Sequence, residues 1–313
     1  MPELYKYKAT KEQVDNIDMV RNSSKVLVRI EERNEEKKTK SGIWMVSPTD
    51  MDWDKARHYD RYGIVHRVPP NLRYDNTPFS MSWRTNIQIR EGDQVWFDYM
   101  NSANCIAYEC DDGNEYKILD YENLYILRRG DEEIPLNGYC MFSDYVVKTG
   151  SKLDITDGKV DPRYGIVEYV AEKNQAYHIS IFHDDIDIKV GDKVMFGGRA
   201  KQYYIEDKYY MTFGKMLRPV QRKNIIAIMD GDEIRTLKPG MVVVFPIKER
   251  VTATGIIVPP MRADIKHFES DVIMSSHPEI SVGDKLLCPK VAPVKFGDNY
   301  ILSEEEIYFV WKE

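Results

Sequence analysis

A short turn motif that occurs three times is the feature that most limits how this chain can fold. In each copy Gly precedes Asp, an Ile stands three residues before the Gly, and an apolar residue stands two residues after the Asp; the copies are Ile89–Val95, Ile188–Val194 and Ile280–Leu286. Gly adopts the positive φ that such a turn needs, and Asp can bond the backbone nearby. Three copies with the same flanking residues indicate an internal repeat.

Each turn opens an alternating strand. Alternation places Val95, Phe97, Val194, Phe196 and Leu286 on a buried face, and it places Trp96, Met195 and Leu287 on the opposite face. Other apolar runs complete the repeat: an opening strand (Val26–Ile30, Gly138–Phe142, Met241–Phe245), a second strand (Arg61–Val65, Arg163–Val167, Asp271–Met274) and a closing strand (Tyr121–Leu127, Asn224–Met229, Ile307–Trp311).

Charged, Gly-containing links separate the repeats at Arg129–Glu133 and Asp230–Glu233. The predicted organisation is an N-terminal arm over residues 1–22, a first module over 23–131, a second over 132–232 and a third over 233–313. Many short strands with almost no helix predict an all-β protein made of barrels or sandwiches.

The N-terminal arm contains one helix signal. Thr10–Gln13 has the form of a capping box, and Val14, Ile17 and Val20 follow at roughly helical spacing, which predicts a short helix ending near Asn22. The helix either packs on the first module or docks on a neighbouring subunit.

Composition excludes several classes of protein. The 313 residues are 42% hydrophobic and 30% charged, as in an ordinary globular protein. The net charge of −7 argues against a nucleic-acid partner, and no apolar run is long enough to cross a bilayer. The cysteines form no dense disulfide framework, which favours a reducing compartment such as the cytoplasm; they are Cys105, Cys110, Cys140 and Cys288.

The sequence carries no pattern typical of a catalytic, cofactor or metal site. Cys105 and Cys110 are spaced too widely for a zinc knuckle and have no histidine at ligand spacing. Asp111–Asp112 has the character of a solvated turn, and no Gly-rich phosphate loop follows a strand. We therefore expect no cofactor, no metal and no enzymatic activity.

The order of these signals resembles the bacterial co-chaperonin (GroES) family. The first module is most similar, through Val26–Arg29, Thr39–Ile43, Gly63–Val65 and Gly92–Phe97, and the third keeps Thr254–Val258 before its own turn. The resemblance extends over nearly the whole chain from Val26, as three tandem divergent copies. It implies three GroES-like β-barrels, each with a long loop between its first two strands.

The same resemblance implies a role for those loops. In the family, a short apolar segment of the loop inserts into grooves of a chaperonin ring; here the matching residues are Ile43, Trp44, Met45, Ile256, Ile257 and Val258. The second module departs from the pattern, because Lys152–Ile155 is charged where the apolar run should be. The alternative is that the apolar segments are simply strands that cover their barrels.

Two functions remain open at this point. One is a non-enzymatic co-chaperonin-like assembly protein that binds a chaperonin ring or another protein assembly in the cytoplasm through the apolar loop segments. The other is a structural auxiliary or decoration protein of a viral capsid, located in the virion and built from three repeated barrels. Both predict protein partners and membership of a larger oligomer, without a nucleic-acid or membrane partner.

Overall fold

A computed structural model provides the structure of the chain. It describes residues 6–19, 23–30, 37–38, 44–45, 62–74, 83–98, 105–147, 159–173, 186–197, 217–246, 250–251, 257–258, 267–289 and 294–312. Strands dominate these residues, which form three large sheets and two two-stranded ladders, together with a single α-helix. The predicted all-β class is confirmed.

The strands of the N-terminal part form the first sheet and one ladder. In chain order they are β1 (Lys6–Ala9), β2 (Lys25–Ile30), β3 (Lys37–Lys38), β4 (Trp44–Met45), β5 (Tyr62–Arg67), β6 (Gln94–Phe97), β7 (Ile106–Cys110), β8 (Glu115–Asp120), β9 (Leu124–Arg129) and β10 (Glu132–Pro135). The first sheet has the order β1-β7-β8-β2-β5-β6-β9-β10, and β3 pairs with β4.

The second sheet follows in the chain. Its strands are β11 (Tyr139–Val147), β12 (Lys159–Tyr169), β13 (Lys193–Phe196), β14 (Arg218–Gln221), β15 (Ile225–Asp230) and β16 (Glu233–Leu237). They are arranged in the order β14-β11-β12-β13-β15-β16.

The third sheet and the second ladder complete the fold. Their strands are β17 (Met241–Pro246), β18 (Arg250–Val251), β19 (Ile257–Val258), β20 (His267–Ser275), β21 (Lys285–Pro289), β22 (Val294–Phe296), β23 (Asn299–Ser303) and β24 (Phe309–Trp311). The third sheet has the order β22-β23-β17-β20-β21-β24, and β18 pairs with β19.

The same order of five strands occurs in all three sheets. It is β8-β2-β5-β6-β9 in the first, β14-β11-β12-β13-β15 in the second and β23-β17-β20-β21-β24 in the third. In each sheet a 3₁₀ turn separates the first of these strands from the last; the turns are Tyr121–Asn123, Arg222–Asn224 and Glu304–Glu306. We call β9, β15 and β24 the closing strands.

The three Gly-Asp turns also share one hydrogen-bond pattern. In the first turn, Gly92 N donates to Val65 O at 2.8 Å, Val65 N donates to Asp93 O at 2.9 Å, and Arg90 N donates to Asp93 Oδ2 at 2.7 Å. The second turn repeats all three bonds around Val167 and the third repeats them around Val272. The glycines have φ values of 90°, 89° and 97°, as the turn requires; they are Gly92, Gly191 and Gly283.

The strand that follows each turn has two apolar faces. Val95 and Phe97 lie in the core cluster of the first sheet with Val28 and Leu119, whereas Trp96 points into a separate cluster with Tyr139 and others. Met195 and Leu286 are likewise fully buried, on the faces that alternation assigns to them. The predicted alternation is therefore correct, and in the first two sheets the opposite face is covered as well.

The N-terminal helix is shorter than predicted. The capping box of Thr10 and Gln13 is present, but the helix α1 spans Lys11–Asp15 and does not continue to Asn22. Asn16 closes it, because its N–H donates to carbonyl oxygens within the helix and its backbone leaves the helical region. Val14 is fully buried in a cluster with Leu27 and Tyr116, so the helix packs on the first sheet of its own chain.

The structure corrects one predicted strand limit and adds two hairpins. The closing strand of the first repeat begins at Leu124 and not at Tyr121, because Tyr121–Asn123 forms a 3₁₀ turn. The hairpins β7–β8 and β22–β23 were not predicted. Their strands are short and mix charged with apolar residues, so no long alternating pattern marks them in the sequence.

The chain divides into two compact units. One comprises residues 1–144, 168–176 and 202–222, and the other comprises residues 145–167, 177–201 and 223–313. Strands β11 and β12 contribute residues to both units. The module limits at residues 131 and 232 stay a prediction.

Candidate functional site: apolar loop ladders and an exposed closing strand

The predicted partner-binding segments lie in the two small ladders. Trp44 and Met45 form β4, which pairs antiparallel with Lys38 and Lys37 of β3. In the third repeat β19 pairs in the same way with β18, so that Ile257 lies opposite Val251 and Val258 opposite Arg250. Ile43 and Ile256 lie outside the described residues, as does the charged second loop, Lys152–Ile155.

Both ladders occupy the same place in the strand order. The β3–β4 ladder stands between β2 and β5, and the β18–β19 ladder stands between β17 and β20. In each case these flanking strands are antiparallel neighbours within a large sheet. The two apolar segments are therefore equivalent excursions from the first and third sheets.

A second apolar surface comes from the residues opposite the core face. In the first sheet Trp96 pairs with Ile126, and both are buried against Tyr139, Met141 and Leu217. We call this side of a sheet its outer face, meaning the face that carries Trp96 in the first sheet, Met195 in the second and Leu287 in the third. The outer face of the first sheet is thus covered by Tyr139 and Met141 of the second sheet and by Leu217, which directly precedes β14.

The outer face of the second sheet is covered in the same manner. Met195 pairs with Ala227, and both lie in one buried cluster with Met229, Val243 and Ile301. Val243 belongs to β17 and Ile301 to β23, which are the third-sheet counterparts of β11 and β14. The chain therefore builds the same kind of interface twice.

The outer face of the third sheet differs from the other two. Leu287 pairs with Phe309, and Lys285 pairs with Trp311 on the same face. Phe309 is 64% exposed and Trp311 is 47% exposed, and Tyr308 beside them is half exposed. The closing strand was predicted from the sequence but its exposure was not, although the aromatic residues of Tyr308–Trp311 were an available signal.

Two of the cysteines, Cys140 and Cys288, are buried thiols. Burial raises the pKa of Cys140 to about 11, and burial likewise raises the pKa of Cys288 to about 11. Both thiols are thus protonated near neutral pH, where the thiolate would be the nucleophile. The described residues contain no group of three His, Cys, Asp or Glu side chains that could hold a metal ion.

One carboxylate in the β7–β8 hairpin is strongly perturbed. Asp112 is exposed; partial desolvation raises its pKa, but hydrogen bonds from Asn114, Cys110 and Tyr116 outweigh this effect and lower it to about 2. Asn114 N lies 2.9 Å from Asp112 Oδ1, and Tyr116 Oη lies 3.1 Å from Oδ2. The carboxylate accepts hydrogen bonds from both ends of the hairpin turn, which stabilise its charged form.

Comparison with known proteins adds no further assignment. In the described part of the chain, no helix has both the length and the apolar character that a membrane span needs. Neither the protein-family models nor the curated proteins searched contain a match to this sequence.

Proposed function

We propose that this chain is a non-enzymatic, co-chaperonin-like assembly protein. It consists of three tandem modules, each resembling a GroES-like β-barrel, and it binds a chaperonin ring or another protein assembly through loop segments of the first and third modules. The observation that carries this proposal is the strand order that occurs three times, with a two-stranded ladder that contains an apolar segment inserted at the same place in the first and third sheets.

The chemistry of the segments suits a protein partner. Trp44–Met45 and Ile257–Val258 are apolar pairs within otherwise polar loops. Trp is the residue type most enriched at binding hot spots, where burial of one large side chain supplies much of the affinity. Two such segments on one chain can engage two sites of a symmetric ring, which converts weak contacts into avidity.

Paired backbone in the ladders favours binding further. A segment that already has strand geometry loses less conformational entropy on docking than a free loop does. The pairing of Trp44 with Lys38 and of Ile257 with Val251 therefore supports presentation of a short preformed hairpin to the partner.

A structural auxiliary protein of a viral capsid is the second candidate. The exposed aromatic residues of β24 favour it, since a decoration protein needs a further surface for packing against its neighbours. In that case the partner is a capsid protein and the location is the virion.

The test measures affinity and folding in parallel. The intact chain is presented to a purified chaperonin ring in one arm and to assembled capsid shells in the other. Trp44→Ala is expected to weaken binding by about 2 kcal/mol or more, equivalent to about 30-fold in Kd, without a change in the thermal melt. Ile257→Ala is expected to weaken it as well, and the double variant more than either.

The matched control is Ile155→Ala, in the charged loop of the second module, which should leave affinity nearly unchanged. Binding to the ring alone supports the co-chaperonin function, and binding to the shell alone supports the capsid function. If Trp44→Ala lowers the melt strongly and leaves both affinities unchanged, Trp44 is a core residue and loop-mediated recognition is refuted.

A further inference from the structure

The closing strand of the third sheet has an open edge. In the first sheet, β9 pairs with β6 on one side and with β10 on the other. In the second, β15 lies in the same way between β13 and β16. Among the described residues, β24 pairs with β21 alone and forms the edge of its sheet.

The residues at this open edge match positions that are paired in the other two sheets. Phe309 lies opposite Leu287, as Ile126 lies opposite Trp96 and Ala227 opposite Met195. Ile126 also pairs with Pro135 of β10, and Ala227 also pairs with Leu237 of β16. The position of Phe309 is therefore covered on its free edge in both earlier repeats.

Side-chain exposure at these equivalent positions also differs between the third sheet and the other two. Ile126 and Ala227 are fully buried, whereas Phe309 is 64% exposed. A flat, apolar edge strand is a template for pairing with another strand, and natural proteins cover such edges or blunt them with charge or proline. Strand β24 consists of Phe309, Val310 and Trp311, so it contains neither a charged residue nor a proline.

We propose that β24 is a self-association site, where the β24 strands of two copies of this chain pair antiparallel about a two-fold axis at Val310. Antiparallel pairing is the direction found at this edge in both earlier repeats, where β10 and β16 run antiparallel to their closing strands. A two-fold axis perpendicular to a sheet relates edge strands in that same direction. In the dimer, β24 of the second copy thus takes the position that β10 and β16 occupy beside the closing strands of the first and second sheets.

A register centred on Val310 is self-complementary in its apolar side chains. It places Phe309 of one copy opposite Trp311 of the other, and the pair occurs twice. Phe309 and Trp311 both project from the outer face, because Leu287 and Lys285 opposite them alternate with the buried Leu286. Aromatic cross-strand pairs on one face stabilise antiparallel sheets.

The charges in the segment also suit a second copy. The same register places Lys312 opposite Tyr308 of the second copy, and it does not bring two lysines together. Lys312 Nζ is held 2.8 Å from Asp284 Oδ2 within its own sheet, so it keeps a counter-ion. No like charges oppose each other between Tyr308 and Lys312, which favours pairing of the strand with itself.

The test measures the mass of the intact chain in solution by sedimentation or light scattering, over roughly 1 to 100 µM. We expect a dimer that dissociates on dilution. Phe309→Lys places a charge on the outer face and is expected to raise the dimer Kd by about 30-fold or more. Val190→Lys is the matched control, because Val190 is an equally exposed apolar residue in the second turn. The Val190→Lys variant should remain dimeric.

Hydrogen exchange of the wild-type chain tests the same contact without a variant. Exchange in the segment from Ile307 to Lys312 should slow as concentration rises, while that of the β7–β8 hairpin should not change. A wild-type chain that is monomeric throughout the range, a dimer that Phe309→Lys leaves intact, or exchange independent of concentration would each refute self-association through β24. The loop segments take no part in this contact, so it can fail or succeed independently of partner binding through the loops.

Discussion

Arg129 binds both carboxylate oxygens of Asp93: its Nε lies 2.8 Å from Oδ1 and its Nη2 lies 2.6 Å from Oδ2. Asp93 is buried and also accepts the N–H of Arg90, so the pair ties the end of closing strand β9 to the first Gly-Asp turn. The hydrogen bonds to Asp93 raise the pKa of Arg129. In the second turn, the more exposed Arg235 makes one contact to Asp192, at 2.7 Å.

Replacing these two arginines should therefore have unequal effects. Arg129→Met leaves the buried Asp93 without its cation and should lower the free energy of unfolding by about 1–2 kcal/mol. Arg235→Met should change it by less than about 0.5 kcal/mol, because an exposed ion pair contributes little. Urea denaturation measures both; equal losses would contradict the assigned difference.

Phe97 should be among the residues whose truncation destabilises the fold most. It is almost fully buried in the core of the first sheet, so Phe97→Ala removes a large side chain and leaves a cavity. We expect a loss of about 3–5 kcal/mol. Val190→Ala, at an exposed site, should stay within about 0.5 kcal/mol. A loss below about 1 kcal/mol for Phe97→Ala would place its strand outside the core.

Gly63 is required because another strand comes too close for a side chain. A Cβ at this position would lie 2.6 Å from the carbonyl oxygen of Arg29 and 2.5 Å from Cγ1 of Val28. Gly63→Ala should therefore destabilise by about 1–3 kcal/mol, since the backbone of β2 must move. At Gly197 the nearest atom would be 3.3 Å away, and Gly197→Ala should change stability by less than about 1 kcal/mol. Similar thermal shifts in the two variants would contradict this difference.

His66 should make the first sheet sensitive to acid. Burial lowers the pKa of His66, and the neighbouring Arg67 and Lys11 lower it further, although Asp15 opposes them from 3.1 Å. A histidine with a depressed folded pKa favours the native state while it is neutral. Its contribution is complete above the unfolded pKa of about 6.5 and is lost as the pH falls from there through the folded value.

The thermal midpoint of the wild-type chain should thus fall as the pH is lowered below about 6.5. His66→Gln should reduce the slope of the midpoint against pH in this range, and His277→Gln serves as a control at another histidine. An unchanged slope in the His66 variant would mean that other groups cause the acid sensitivity.

Local chemistry determined a large part of the fold from the sequence. The Gly-Asp turns and the strands they open were predicted at the right residues, because a turn with positive φ and the alternation after it depend on neighbours in the chain. The capping box of Thr10 was found for the same reason. The end of helix α1 was not, because apolar spacing at Ile17 and Val20 resembles a continuing helix.

The coverage of each sheet face and the partner of each turn Asp depend on contacts between residues that are distant in the sequence. Alternation shows that Trp96 and Leu287 take the same face, but the sequence does not show that residues of the next sheet cover Trp96 while the face around Leu287 stays open. The cation that binds the turn Asp also comes from different elements: Arg129 is the last residue of closing strand β9, whereas Asp230 ends β15 and Arg235 of β16 binds Asp192 instead.

The sequence by itself therefore determined the all-β class, the Gly-Asp turn that occurs three times, and the face on which each residue of the following strands lies. All of these follow from contacts within a few residues. What the tertiary structure decided is which of those faces find a partner. Burial of Trp96 and exposure of Phe309 differ because the first sheet has a following strand and a following sheet against it, while the described residues place neither on β24. Packing between distant segments, and not strand propensity, sets that difference.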